Sequence, residues 1–160
     1  MKKFLETQST LWKEFVADSK SIELDNFELN EELNTEIWLS EEKIRPEVAV
    51  KLVEIAKDFL RNIGLSDLDY EDITLTGSLA NFNWSKYSDV DLHVLVNFSK
   101  LNKNVELGRE FFRAKSGLWN KNHDIAIRGF EVEIYGQDSG EPHISTGVYS
   151  VLYGEWIIEP

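Results

Sequence analysis

Leu75-Thr76-Gly77-Ser78, the loop Leu79–Tyr87, then Ser88-Asp89-Val90-Asp91-Leu92-His93-Val94-Leu95-Val96 is the stretch on which the reading of this chain turns. An apolar, β-branched run arrives at a Gly-Ser pair. After a polar, aromatic-rich loop the chain resumes as a strand that opens on two aspartates one position apart. Side chains alternate across a strand, so Asp89 and Asp91 point to one face, roughly 6.6 Å apart at the backbone. Val90, Leu92, Val94 and Val96 take the other face, whose uniform apolarity marks it as core. Two carboxylates side by side at the head of a buried strand repel one another. A hard divalent cation with oxygen ligands, Mg2+ or Mn2+, is the natural species to stand between them.

The Gly-Ser pair suits the same chemistry. Glycine lets backbone approach a ligand closely, and the N–H groups opening the next helical turn, with the Ser78 hydroxyl, make an anion site. A phosphate cradle facing paired aspartates is what a nucleoside triphosphate requires. Gly77-Ser78 followed by Ser88-Asp89-Val90-Asp91-Leu92 resembles the signature of the nucleotidyltransferase superfamily typified by DNA polymerase beta, and most closely its small, phage-type, single-domain members. The resemblance implies an α+β fold, a small mixed twisted sheet with helices packed on one side. It also implies transfer of a nucleoside monophosphate from a triphosphate such as ATP to an acceptor hydroxyl, with release of pyrophosphate. Gly77, Ser78, Ser88 and Lys86 are the nucleotide-side candidates. Asp89 and Asp91 are the metal ligands, and Asn81-Phe82 stands where the family's loop carries Arg-Gly.

Two-metal phosphoryl transfer needs a third carboxylate. The family draws it from a neighbouring strand, and the hairpin read over His123 to Tyr135, turning at Arg128-Gly129, supplies Glu131 and Glu133. Both have the same parity, so alternation does not choose between them. Glu133 lies deeper, between Val132 and Ile134, where an unpaired charge is expensive, and is taken as the catalytic and metal-binding residue with Asp89 and Asp91. His93 shares the aspartate face and is expected to be hydrogen-bonded within the sheet.

Around this centre the chain reads as one domain of 160 residues, with residues 1–45 a helical and extended covering segment. Leu11, Trp12, Phe15 and Val16 have helical spacing, and Ile37-Trp38-Leu39 is expected to pack on the helix opened by Pro46. That helix carries Val48, Leu52, Ile55, Ala56, Phe59 and Leu60 on one stripe and ends at Gly64. A second helix, capped by Asn102 or Asn104, is expected to shorten or bend at Gly117. Val148 to Leu152 and Trp156 to Ile158 form a last hairpin.

No signal-peptide core or membrane-spanning run is apparent, and the absence of cysteine fits a reducing cytoplasm, the host's if the protein is phage-encoded. Twenty-nine acidic against 17 basic residues give a charge of −12, a field that repels extended nucleic acid. The acceptor is therefore expected to be a small molecule or a protein side chain. Two other classes stay open: a catalytically silent nucleotide-binding or protein-interaction module, and a toxin–antitoxin partner of the minimal-nucleotidyltransferase type.

Overall fold

The computed structural model describes residues 29–160; the helix expected through Lys20 and the acidic residues up to 28 lie outside the described residues. The described chain runs β1 (Trp38–Ser40), β2 (Lys43–Ile44), α1 (Pro46–Asn62), β3 (Asp72–Thr76), a 3-10 turn (Ser78–Ala80) and β4 (Val90–Val96). It continues through α2 (Phe98–Leu101), α3 (Val105–Asn122), β5 (Ala126–Ile127), β6 (Phe130–Asp138), β7 (Val148–Ser150) and β8 (Glu155–Ile158). Strands β3 to β8 join into a six-stranded mixed sheet of order β5-β6-β4-β3-β7-β8, and β1 pairs with β2 in a separate sheet. Only β4 and β6 run parallel; every other neighbouring pair is antiparallel. The crossover between β4 and β6 is made by α2 and α3, as parallel strands require.

Helices cover one face of the sheet. The six stripe residues of α1 are all buried, and with Phe112 and Trp119 of α3 they pack into one core with Val90, Leu92, Val94, Val96 and Ile134. Burying such a side chain contributes about 1.5–3 kcal/mol, so this face holds the domain together. Pro46 opens α1, and its end is closed by the Leu65 N–H to the Leu60 carbonyl (2.8 Å) and the Gly64 N–H to Arg61 (3.1 Å). Asn104, one of the two expected caps, accepts from the Leu107 N–H to start α3. The expected bend at Gly117 does not occur: α3 runs unbroken to Asn122, and Gly117 faces open space.

Three further expectations are refined. Asp89 precedes β4 rather than opening it. The arm after the Arg128-Gly129 turn extends beyond Tyr135 to Asp138, because β4 offers it a parallel partner along its full length. Trp38 stacks on Trp156 (ring centroids 4.7 Å), meets Tyr149 edge-on (4.9 Å) and donates its indole N–H to the Leu79 carbonyl (2.7 Å). Its aromatic neighbours are thus on the C-terminal hairpin rather than on α1, and Leu39 is exposed.

Candidate functional site

The uncovered face of the sheet is polar, and strand register arranges it in rows. Glu133, Asp91 and Thr76 lie abreast on β6, β4 and β3. Next come Tyr135, His93, Thr74 and Ser150, then Gln137, Leu95 and Asp72. The first row stands near the N-terminal ends of the two central parallel strands, not at the edge of the sheet. Asp91 and Glu133 are direct neighbours across the parallel pair, whereas Glu131 is exposed and pairs with Ala126 of β5.

The electrostatics follow from that register. Burial pushes the Asp91 carboxyl up to about 6, helped by the charges of Glu133 and Asp89. Asp89 is raised by burial and then by Glu133. The like charge acting on both aspartates comes from Glu133. None of the three carboxylates forms an ion pair among the described residues. Glu133 accepts a hydrogen bond from the Tyr135 hydroxyl, and burial, reinforced by that bond, raises the Tyr135 phenol well above its ordinary range.

Gly77 follows Thr76 with φ 78° and ψ −164°, a conformation essentially restricted to glycine. A Cβ here would fall 1.9 Å from Asp91 Oδ2, so the missing side chain is also the space that the Asp91 carboxylate occupies. The turn after it is three residues of 3-10 helix rather than the start of a longer helix. Ser78 Oγ donates to Ser88 Oγ (2.7 Å), which also accepts the Ser85 N–H (2.9 Å), so the two serines tie together both ends of the loop. Lys86 is exposed, its ammonium 5.0 Å from the Tyr87 ring centroid. Phe82 and Trp84 pack against the core. Asn30 donates to both of their carbonyls, and Trp84 donates to the Glu32 carbonyl. Arg109 and Arg113 are each engaged by glutamates: Glu106 and Glu141 for the first, Glu110 for the second.

Asn81 donates to the Thr146 hydroxyl (2.7 Å) and carbonyl (3.2 Å). Gly147 passes so close to the turn that a Cβ on it would stand 2.0 Å from the Ala80 carbonyl oxygen. The segment after β6 is therefore clamped to the Gly77-Ser78 turn, a coupling that no local motif announces. Tyr135 was legible in principle, since it shares parity with Glu133. His93 is buried enough to hold its imidazole neutral, with its pKa lowered to about 4 chiefly by burial. As expected, its ring is hydrogen-bonded within the sheet, to the Gln137 side chain, while its Nδ1 has no hydrogen-bond partner among the described residues, and neither has Thr74 Oγ1 beside it.

The donor set suits a hard divalent cation: three carboxylates, oxygen donors only, no cation among them. In their present rotamers no three His, Cys, Asp or Glu side chains among the described residues are gathered closely enough to hold an ion; Glu133 is turned toward Tyr135. The residues fit the ion in kind, but not in their present arrangement.

No helix among the described residues is long and apolar enough to cross a membrane. No family model matches the chain, and no curated protein matches it. Among solved structures, one named as a candidate nucleotidyltransferase from Sulfolobus solfataricus is similar at 16% identity, over 70% of this chain and 92% of that one, with a TM-score of 0.41.

Proposed function

We propose that the protein is a metal-dependent nucleotidyltransferase that moves a nucleoside monophosphate from a nucleoside triphosphate to an acceptor hydroxyl. The observation that carries this reading is the overlap of Gly77 with Asp91: the space vacated by a glycine side chain is filled by the carboxylate that stands in register with Glu133. The phosphate-side turn and the acidic row are thus one site.

Asp89 and Asp91, with Glu133, would hold Mg2+ or Mn2+, which when bound supplies charge neutralisation and acidifies a hydroxyl. The chain's own residues do the rest. Gly77 leaves backbone open to the β- and γ-phosphates, and the Ser78–Ser88 bridge holds the turn in place. An oxygen–phosphorus bond forms to the acceptor as the bond from the α-phosphorus to pyrophosphate breaks. Glu133, which already accepts a hydrogen bond from the Tyr135 hydroxyl, takes up the proton lost by the acceptor. Catalysis of this kind is positioning and electrostatics.

A second reading has one observation in its favour, the ungathered carboxylates: a catalytically silent nucleotide-binding module. Calorimetry with Mn2+ and a non-hydrolysable triphosphate, then incubation with labelled triphosphates and cell extract, separates the two. Binding without label transfer supports the silent module; no binding removes both.

A further inference from the structure

Beyond the carboxylate row, the segment after β6 folds over the polar face and encloses a cavity of about 350 Å³. Its floor includes Thr76, His93, Tyr135 and Gln137, and its cover includes His143 and Ser145. Each of three floor residues is one step from a carboxylate. Thr76 is abreast of Asp91, His93 is two positions past it, and Tyr135 is hydrogen-bonded to Glu133. The cavity and the Gly77-Ser78 turn lie on opposite sides of the acidic row. Along β4 the turn is level with the strand's start, and the cavity runs from the level of Asp91, where Thr76 lies, past His93.

We infer that this cavity is the acceptor pocket, and that it takes a neutral, hydroxyl-bearing ring of about monosaccharide size; the assignment rests on the nucleotidyl-transfer reading. In-line displacement brings the nucleophile to phosphorus from the side opposite the departing pyrophosphate. With the triphosphate's tail at Gly77 and Ser78, the acceptor enters from the cavity side. Tyr135 lines the cavity and its hydroxyl donates to Glu133, so that hydroxyl stands in for the acceptor hydroxyl that would displace it.

Charge and size set the ligand class. Arg109 is engaged by Glu106 and Glu141, and the Asp138 carboxylate accepts the Phe98 and Gly140 N–H groups. Among the described residues the one cation on the cavity wall, Arg109, is already paired and Asp138 has no ion pair, so the wall and the acidic row both repel an anionic ligand. The floor offers hydrogen bonding: His93, which lines the cavity, has a buried Nδ1 without a partner among the described residues, and the Gln137 side chain lines the cavity beside it. Flat side chains, Tyr135, His93, Phe98 and Pro142, border these polar groups, as suits a ring with polar edges. Small-molecule pockets span about 300–1,000 Å³, which puts this one at the small end and leaves no room for a polynucleotide.

The chain has three histidines, which makes the test direct. His93 and His143 line the cavity and His123 does not. His143, which lies outside the acidic row, is the reporter. The full chain, labelled at histidine, is saturated with Mg2+ and α,β-methylene-ATP. D-glucose, D-ribose and myo-inositol are then titrated in while the imidazole signals are followed by NMR. At least one of these polyols is expected to move the His143 signals saturably and leave His123 still. Gln137→Leu should weaken that response about tenfold, the worth of one hydrogen bond. Ser145→Trp, on the exposed cover, should abolish it while Mg2+–triphosphate binding, read by calorimetry, persists. If no polyol moves His143 with the triphosphate bound, the pocket assignment falls alone. If α,β-methylene-ATP by itself moves His143, the cavity holds the nucleoside half and the assignment is overturned. If the triphosphate does not bind, the transferase reading falls and the acceptor role goes with it.

Discussion

The two faces of β4 follow opposite rules although they share one backbone. Val90, Leu92, Val94 and Val96 are all buried against α1 and α3, where each methylene removed from water adds to stability. One residue along, Asp91 and His93 are held partly or largely out of water with their polar groups imperfectly satisfied: a carboxyl raised to about 6 and an imidazole nitrogen without a partner. Leaving buried polar groups unpaired costs stability, and folded proteins concentrate such costs where a ligand removes them. The packed face is thus the part built for folding, and the polar face is the part we propose for binding.

Truncation should break the comparison most visibly on the packed side. Leu92→Ala is expected to cost about 2–5 kcal/mol in chemical denaturation, while Asp91→Asn, its neighbour, should leave the metal-free protein as stable or more so. Equal losses at both positions would mean that the two faces are not divided as described.

On the open side, Glu133→Gln should reduce Mn2+ affinity in the presence of non-hydrolysable triphosphate by about a hundredfold, since even outer partners of metal ligands are worth 10–100-fold. Glu131→Gln, exposed and paired across to Ala126, should change it little. Calorimetry on both variants ranks them, and a reversed order would exchange the roles of the two glutamates.

Gly77→Ala tests the seam between phosphate turn and acidic row. Its backbone conformation should cost about 1–3 kcal/mol, and the new methyl must displace the Asp91 carboxylate. Thermal melts should show both the lower midpoint and the loss of any stabilisation by Mg2+. A normal Mg2+ response would separate the turn from the carboxylates.

The smallest expected effect is in pH. Because the folded pKa of Asp91 is raised, its protonated form favours the fold. That contribution is complete below the unfolded value near 4 and is lost as pH rises through about 6. Metal-free protein should therefore lose midpoint between pH 4 and 7, through Asp91 and in the same sense through Asp89. Asp91→Asn should flatten the slope, and saturating Mg2+ should do the same for the unmodified chain. An unchanged slope in Asp91→Asn would place its cause elsewhere.

Local pattern revealed much of this. The α1 stripe from Val48 to Leu60, the apolar side of β4 and the hairpin turn at Arg128-Gly129 were readable because periodicity and turn chemistry are properties of neighbouring residues. Parity put Glu131 and Glu133 on one face and could go no further, because the choice depends on which of them meets β4. The aromatic loop was less legible. Asn81 occupies the family's arginine position, yet its amide is spent on Thr146, far along the chain. Ile37 and Trp38 join the core that holds the α1 stripe, as expected, but the stacking of Trp38 on Trp156 was not legible, because it is set by the path of the C-terminal hairpin.

The sequence by itself determined that Asp91 stands on the polar side of a strand, that a glycine precedes it across a loop, and that the opposite face is core. Alternation and backbone sterics act over a few residues, so they can be read without a fold. Tertiary structure decided the rest: that β6 runs parallel to β4 in the register that sets Glu133 beside Asp91, and that Asp91 fills the space over Gly77. It also folded the segment after β6 over the polar face to make a cavity. Each depends on residues tens of positions apart, brought together by burial of the other face of the sheet, and burial is a property of the whole chain.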